Sequence, residues 1–237
     1  MLVGIHQPAY LPWLGLIEKI ALCDCFIVLD TVQYNARSFQ HRTLYSTNSG
    51  TAYLSLSVNS KGHQVFGTKI GEVTLADKRI PKTHLATLQH RYGKRPGWSL
   101  LSPELEAILS QDWHRLLDLD MALMELTLRH FGIRTKLLLA SAVEAEGSKG
   151  DLMLSLVRSV GGTSYLSGSG SRAYIVPEKF ADAGIDLYWQ SFHHPTYPQS
   201  HRSDFQPGCF ALEWIIEEPD TAAAKFRELI EAARHRI

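Results

Sequence analysis

At the start of the chain, apolar residues form two short runs separated by a stretch with helical spacing. The runs at 2–5 and 25–29 are bounded by polar residues, as buried strands are. Between them, residues 13–23 repeat their apolar positions at helical intervals, and these positions are Leu14, Ile17, Ile20 and Ala21. Pro12 suits the first turn of that helix, because a proline loses no hydrogen bond there. The pattern predicts strand, loop, helix and strand in that order.

The middle of the chain predicts one strand-like segment and then helices. Alternating apolar and polar residues over 51–58 predict a half-buried strand. A turn at 59–62 and one or two short strands over 65–73 would add a hairpin or a sheet edge. Helical patterns follow at 81–92 and at 103–130, with a break near Gln111.

The last hundred residues return to alternating strands and helices. Strands are predicted at 135–140, 163–166 and 185–190, and helices at 151–160, 173–183 and 221–236. Strands that alternate with helices predict an α/β fold with a mainly parallel open sheet. We expect one α/β domain over residues 1–237, with a helical insertion or lid at about 76–131.

Composition excludes a strongly charged protein. The 237 residues contain 24 basic and 24 acidic side chains, so the formal net charge is +0 and no global field attracts nucleic acid. No apolar run reaches the roughly 18 residues of a membrane-spanning helix. The amino terminus lacks the basic region and cleavage site of a signal peptide. We therefore expect a cytoplasmic protein without a membrane span.

Neither the cysteines nor the histidines form a recognisable metal motif. The chain has three cysteines, an odd number, and Cys23 and Cys25 lie in an apolar context that predicts core positions. His193, His194 and His201 invite a zinc interpretation, but no cysteine or H-E-x-x-H partner accompanies them. The prediction is that there is no metal site, and the residues assign no cofactor.

Polar side chains that directly follow the first two predicted strands supply the candidate catalytic residues. His6 and Gln7 come after the first apolar run, and Asp30 ends the second. In open α/β sheets, ligands bind at the carboxyl ends of the strands. His6 is the best candidate for a general acid or base, because the ordinary pKa of histidine lies near neutrality. We expect Asp30 to orient His6 or to hold a substrate hydroxyl or amine.

Loops at the other strand ends supply candidate binding residues. Arg37 and Arg42 could bind a phosphate or carboxylate through their guanidinium groups, or belong to a solvated loop. The Gly/Ser loop at 167–172 leads from a strand into a helix, which is a geometry that offers backbone N–H groups to an anion, unless it is only a small-residue turn. Further predicted contacts are amides, hydroxyls and flat rings: Gln7, Tyr10, Trp13, Gln33, Ser167, Gly168, Tyr174 and Tyr197.

One long motif resembles the WbqC-like protein family. It reads His-Gln-Pro-x-Tyr-Leu-Pro-Trp-Leu-Gly at 6–15 and Asp-x-Phe-x-x-Leu-Asp-x-Val-Gln at 24–33. The likeness continues to about residue 216 through Arg37-Ser38-Phe39, Arg42, His84, Tyr165-Leu166-Ser167-Gly168 and His194-Pro195-x-Tyr197-x-Gln199. The resemblance implies ligand contacts at His84 and Gln199, although a lone histidine on a helix is usually structural.

The resemblance also implies a function. The family is associated with bacterial surface-polysaccharide (O-antigen) gene sets, and a transferase that adds glycine or another acyl group to a sugar is suggested for it. The implied partners are a sugar or nucleotide-linked sugar and an activated acyl donor, and a tRNA-linked donor stays open. The sequence contains no G-x-S-x-G motif and no plausible catalytic cysteine, so direct transfer assisted by His6 is expected.

Two other functions stay open, a non-catalytic nucleotide- or sugar-binding module and an adenylyl-transfer enzyme. The first strand, loop and helix loosely resemble the HIGH-type nucleotidyltransferases, although both histidines of that motif are replaced in the segment 10–13. Each of these functions needs the loops at the predicted strand ends to line a single pocket. These loops are residues 6–13, 30–42, 167–172 and 193–199.

Overall fold

The computed structural model describes residues 1–59, 67–199 and 204–237. Its strands are β1 (Leu2–His6), β2 (Cys25–Val28), β3 (Arg42–Thr47), β4 (Gly50–Ser55), β5 (Lys136–Leu139), β6 (Ser164–Ser167) and β7 (Asp186–Trp189). Its α-helices are α1 (Leu14–Leu22), α2 (Ile80–Tyr92), α3 (Trp98–Leu109), α4 (Leu116–His130), α5 (Lys149–Ser159), α6 (Pro177–Asp182), α7 (Leu212–Glu217) and α8 (Ala222–Arg234).

Five of the strands form one parallel sheet in the order β5-β2-β1-β6-β7, which confirms the predicted α/β fold. From β1 the chain moves to β2 on one side, and only much later places β6 on the other side. The sheet therefore has a topological switch point between β1 and β6, where doubly wound proteins bind ligands. Gly4 pairs with Leu166, so continuing this register by two residues places His6 level with Gly168.

The sheet is buried on both faces because its side chains alternate between two apolar clusters. Val3, Ile5 and Ile27 pack with α5 and α6, whereas Phe26 and Val28 pack with α1 and with the helices of the other cluster. Strands that are covered on both sides read as continuous apolar runs, which explains the pattern at 2–5 and 25–29. Asp24, which directly precedes β2, holds the start of β1, because its carboxylate accepts the N–H of Leu2 at 2.7 Å.

Several predicted boundaries are wrong. The segment around Arg42 begins strand β3, which pairs with β4 in an antiparallel hairpin, whereas the sequence predicted a loop there. The helix predicted over 173–183 is confined to Pro177–Asp182. The helix after Pro12 begins only at Leu14, and Ile70–Glu72 forms a 3₁₀ turn in place of a strand. The remainder of the predicted turn and strands, at 60–66, lies outside the described residues.

The long helical region is two helices, α3 and α4, which separate at 110–115 as the break near Gln111 predicted. Together with α2 they occupy the segment between β2 and β5, and their buried side chains share one apolar cluster with α1 and α8. The division into one domain with an insertion or lid stays a prediction. Within the described ranges, none of the helices is both long enough and apolar enough to cross a membrane.

Candidate functional site

Two adjoining cavities open at the switch point. A cavity of about 240 Å³ lies over the ends of β1 and β6, and we call it the β1–β6 cavity. A second cavity, of about 310 Å³, is lined by Trp13 and Phe192, and we call it the aromatic cavity. Four residues line both cavities, and these are His6, Lys19, Gly168 and Gly170. The two cavities together form one cleft whose centre is shared by the end of β1, helix α1 and the turn after β6.

His6 is the last residue of β1 and faces both cavities as an uncharged ring. Its Nδ1 lies 2.8 Å from the carbonyl oxygen of Gln7, and because a carbonyl only accepts, Nδ1 carries the proton in the neutral ring. Nε2 then keeps its lone pair. Burial and, secondly, the positive charge of Lys19 lower the pKa of His6 to about 4, against the weaker opposing effect of the Gln7 hydrogen bond. At neutral pH, His6 can therefore accept a proton.

Lys19 is a functional candidate that the sequence analysis missed. Its side chain lies on α1 with only 2 % of the residue exposed, and its Nζ donates to the carbonyl oxygen of Ile5 at 2.7 Å. Burial lowers the pKa of Lys19 to about 8, opposed by Cys23. The signal was available, because every residue of α1 is buried and only Glu18 and Lys19 among them are charged. A charged residue in a fully buried helix requires a partner or a function.

Helix α1 is attached to the far side of the cleft through Gln190, which follows β7. The side-chain Nε2 of Gln190 donates to the carbonyl oxygen of Gly15 and to Oε2 of Glu18, each at 2.8 Å. Burial raises the pKa of Glu18, and the Gln190 hydrogen bond is the first of the effects that oppose this. Since Gln190 also lines the aromatic cavity, this contact fixes the position of α1 at the cleft wall.

The turn after β6 adopts a compact geometry held by two serines. The hydroxyls of Ser167 and Ser171 lie 2.5 Å apart, and the Ser171 hydroxyl also donates to the carbonyl oxygen of Gly168 at 2.6 Å. Residues Ser169–Ser171 form a 3₁₀ turn. Ser167, Gly168 and the following Tyr174 all line the β1–β6 cavity. The Gly/Ser loop thus lies beside the cavity, the next α-helix after it is the short α6, and its anion-binding role stays a prediction.

Two further predicted residues lie in the cleft. Gln7 lines the β1–β6 cavity, and its Oε1 accepts a hydrogen bond of 2.5 Å from Nε2 of Gln40. Trp13 lines the aromatic cavity and meets Phe192 edge to face, with ring centroids 5.5 Å apart. The structure therefore brings together these predicted residues: His6, Gln7, Trp13, Ser167, Gly168 and Tyr174.

Asp30 lines neither cavity, although it follows β2. Its Oδ1 accepts the backbone N–H of Ser141 at 2.9 Å, and its carbonyl oxygen accepts the N–H of Gly71 at 2.9 Å. The Asp30 side chain thus joins the end of β2 to the segment after β5, and its backbone carbonyl joins the same strand end to the 3₁₀ turn at Ile70–Glu72. Within the described part of the chain, the hydrogen bonds of Asp30 do not include one to His6. Its proposed orienting role has no contact to support it.

Tyr10 and His84 form a buried pair away from the cleft. The Tyr10 hydroxyl lies 2.9 Å from Nδ1 of His84, and neither residue lines the β1–β6 cavity or the aromatic cavity. Burial raises the pKa of Tyr10 and lowers that of His84 to about 4. Asp120 acts electrostatically on Tyr10, is itself 0 % exposed, and burial raises its pKa well above its usual range. Among the described residues, neither carboxyl oxygen of Asp120 has a hydrogen-bond partner.

Replacing Asp120 with asparagine should raise the free energy of unfolding at pH 7 by about 1 kcal/mol or more. The pKa of the Asp120 carboxyl is higher in the folded than in the unfolded chain, so its cost to stability grows as the pH rises above the unfolded value of about 4. Asparagine does not titrate, so urea denaturation at about pH 3 should show almost no gain. An equal gain at both pH values would contradict this account.

Arg37 and Arg42, the two arginines predicted to bind an anion, lie just before and at the start of strand β3. The guanidinium of Arg42 lies over the ring of Tyr53 at 4.4 Å and donates to the carbonyl oxygen of Arg37. Arg37 is exposed and has a positive φ of 64°. Gln33 is also exposed and forms an isolated β-bridge with Lys69. None of the three predicted residues lines either cavity of the cleft.

Tyr197 and Gln199 are buried against the carboxylate of Glu213. The Tyr197 hydroxyl and Nε2 of Gln199 each donate to Oε2 of Glu213 at 2.9 Å, and the Tyr197 ring stacks on Trp214 at 5.4 Å. Neither residue lines the cleft. In the sequence, aromatic and amide residues in an irregular segment resemble a binding loop. In the structure, the polar groups of Tyr197 and Gln199 instead donate hydrogen bonds to the buried carboxylate of Glu213.

The zinc interpretation of the histidines at 193, 194 and 201, which the sequence analysis disfavoured, receives no support from the described residues. In that part of the chain, no group of three or more histidine, cysteine or acidic side chains could hold a metal ion. His194 packs against the rings of Tyr197 and Phe205, and its Nδ1 lies 2.8 Å from the carbonyl oxygen of Pro195. His201 lies outside the described residues.

The fold and the cleft define a doubly wound α/β protein with a ligand-type pocket at the switch point of its sheet. The family model described as the WbqC-like protein family matches residues 7–223, so the chain belongs to this family. It is also similar to the uncharacterized protein Rv1507c of Mycobacterium tuberculosis, with 28 % identity over 223 residues that cover 92 % of this chain and 96 % of the relative. No solved structure matches.

Proposed function

We propose that this protein is a transferase that moves an activated acyl or aminoacyl group, such as glycine, to an amino sugar or nucleotide-linked sugar during the synthesis of a surface polysaccharide. The proposed compartment is the cytoplasm. Family membership supports the class of reaction, and one observation supports the chemistry. That observation is the neutral imidazole of His6, which faces a cavity at the sheet switch point with Nε2 free to accept a proton.

The proposed reaction is a direct transfer with His6 as the general base. As the acceptor amine attacks the carbonyl carbon of the donor, Nε2 of His6 takes one proton from the amine. The bond between carbonyl carbon and nitrogen forms, the bond to the leaving group breaks, and His6 returns the proton to the leaving group. A base with the right geometry contributes about 10²- to 10⁴-fold to such a step. No covalent enzyme intermediate is needed.

The remaining walls of the cleft suit a nucleotide-linked sugar. Trp13 and Phe192 present flat rings in the aromatic cavity, which match a base or the face of a sugar. Gln7 and Ser171 line the β1–β6 cavity and offer amide and hydroxyl groups to sugar hydroxyls. The strand order supports the nucleotide part, because nucleotides bind at the switch point of sheets with this order.

Mass spectrometry of a defined mixture tests the proposal. The purified protein is incubated with a uridine-diphosphate-linked amino sugar and either acetyl-coenzyme A or glycyl-tRNA as donor. We expect a nucleotide sugar whose mass is increased by the transferred group, with no product when the protein is omitted. If nucleotide sugars bind but no donor yields a product, the protein is a binding module. ATP consumption with pyrophosphate release would instead indicate adenylyl transfer.

A further inference from the structure

Lys19 is a buried cation without an anionic partner among the described residues. Its single hydrogen bond there goes to the carbonyl oxygen of Ile5, which leaves two of its three N–H donors unused. With a pKa of about 8, the amine is mostly protonated at pH 7. A buried charge is costly unless it is paired. Since Lys19 lines both cavities, the missing partner belongs in the cleft.

Gly168 and Gly170 line the same two cavities as Lys19, and the packing around them does not require glycine. A Cβ added at Gly168 or Gly170 would meet no other heavy atom within 4 Å. Gly168 has a φ of −80°, which any residue adopts, and Gly170 has no positive φ either. Both residues line both cavities, so an added methyl group would occupy cleft space rather than strain the fold. Glycine at such positions allows a ligand to approach the backbone closely.

We propose that Lys19 binds the diphosphate group of a nucleoside-diphosphate-linked substrate, and that Gly168 and Gly170 leave room for this group against the backbone of the turn. The diphosphate lies at the centre of the cleft, between the aromatic cavity and the β1–β6 cavity. The choice of this substrate class rests on the proposed function. The argument for an anion at Lys19 does not, because it follows from burial and charge alone.

Binding at Lys19 also changes His6. The positive charge of Lys19 is the second cause that keeps the pKa of His6 low, after burial. A bound diphosphate offsets that charge, so the pKa of His6 rises and the ring becomes a stronger base when the substrate is present. The other titratable groups that line the cleft or act on Lys19 are Cys23, Tyr165 and Tyr174, and burial raises the pKa of each, so they stay neutral at pH 7.

Calorimetric titration with inorganic pyrophosphate, uridine diphosphate and uridine tests this proposal without any transfer reaction. Wild-type protein is expected to bind uridine diphosphate more tightly than uridine. In Lys19→Met, we expect affinity for pyrophosphate and uridine diphosphate to fall by about 10- to 100-fold, the range for a lost hydrogen bond to a charged group, with little change for uridine. A misfolded variant would lose both ligands. Equal pyrophosphate binding by Lys19→Met and wild type would overturn the proposal.

A pair of glycine variants separates ligand contact from folding. Gly168→Ala should keep the melting temperature of the wild type and bind uridine diphosphate more weakly. Gly161→Ala is the converse control, because Gly161 also has open space around it but has a φ of +74° and lines neither cavity. It should lower the melting temperature and leave affinity unchanged. If Gly168→Ala binds as tightly as wild type, the turn does not contact the ligand.

The pH dependence of the same titration supplies a third readout. Because the anion requires the charged amine, affinity for pyrophosphate should fall as the pH rises above about 8 in wild type and stay level in Lys19→Met. Absence of binding by the wild type at millimolar pyrophosphate would overturn the inference, even if transferase activity were found. Lack of transferase activity with intact Lys19-dependent binding would leave it standing.

Discussion

Replacing Glu213 with alanine is expected to lower the free energy of unfolding by about 3–5 kcal/mol. The Glu213 carboxylate is completely buried on α7 and accepts four hydrogen bonds. Ser46 and Tyr92 donate to Oε1, the latter at 2.6 Å, and Tyr197 and Gln199 donate to Oε2 at 2.9 Å. Removing the carboxylate takes away the acceptor that these hydrogen bonds share, and a lost hydrogen bond to a charged group costs about 1.5–3 kcal/mol.

Urea denaturation measures this effect, and two milder variants show its origin. Tyr197→Phe removes one donor and should cost only about 1 kcal/mol. Glu213→Gln keeps the shape but turns an NH₂ group toward two donors, so its loss should lie between the other two. If Glu213→Ala were no less stable than Tyr197→Phe, the carboxylate would not organise this region. Such a result would also reopen a ligand role for Tyr197 and Gln199.

Replacing His6 with alanine should lower kcat/KM for the proposed transfer by about 10²- to 10⁴-fold while the protein stays folded. Among the described residues that line the cleft, His6 is the only one shown to be neutral at pH 7 with a nitrogen lone pair that can accept a proton. The alanine variant lacks this group. In the wild type, the acid limb of kcat/KM should have its midpoint at about pH 4, because the proton-accepting form of His6 exists above its pKa. Product formation followed by mass spectrometry provides the rate.

His84 supplies a matched control for this variant. Its pKa is also lowered to about 4 by burial, but it lies outside both cavities and pairs with Tyr10. His84→Ala should reduce stability and leave the activity per folded molecule nearly unchanged. Similar activity losses in the two variants would indicate that His6 acts through folding alone. A midpoint near 6.5 would instead place the base in a wetter setting than the structure gives it.

The pH profile of kcat further links the two proposals. With the substrate bound at Lys19, the pKa of His6 should exceed its value in the free protein, so the acid limb of kcat should lie at higher pH than that of kcat/KM. In Lys19→Met, the acid limbs of kcat and of kcat/KM should both lie at higher pH than in the wild type, and the difference between them should be smaller. Identical limbs in the wild type would mean that the ligand does not offset the charge of Lys19.

The sequence predicted the parallel sheet well because its strands are buried on both faces and read as unbroken apolar runs. It predicted the hairpin poorly, since the burial of β3 follows no simple alternation and Arg42 begins the strand. Of the predicted site residues, His6 and Ser167 were chosen for their position at strand ends, and both line the β1–β6 cavity. Tyr197 and Gln199 were placed in the site because nothing local reveals that a glutamate 14 to 16 residues later takes their hydrogen bonds.

Lys19 shows the complementary difficulty. A charged residue in an apolar helix signals that something is unusual, but the sequence does not say whether the side chain reaches solvent or the centre of the sheet. Where the side chain points depends on how other elements cover α1, and these elements include α8 and Gln190, the residue after β7. Such coverage is a property of the packed fold and has no local pattern.

The hydrogen bonds between α1 and Gln190 have a consequence for the synthesis of this polypeptide on the ribosome. The walls of the cleft come from residues 5–29 and 153–192, so the amino-terminal part leaves the ribosome long before its counterpart exists. A growing chain cannot complete the aromatic cavity until Gln190 and Phe192, which follow β7, are in place. The proposed binding and transfer would therefore need a chain that extends past Gln190 and Phe192, and a truncated product that ends before Gln190 would lack one wall of the cleft.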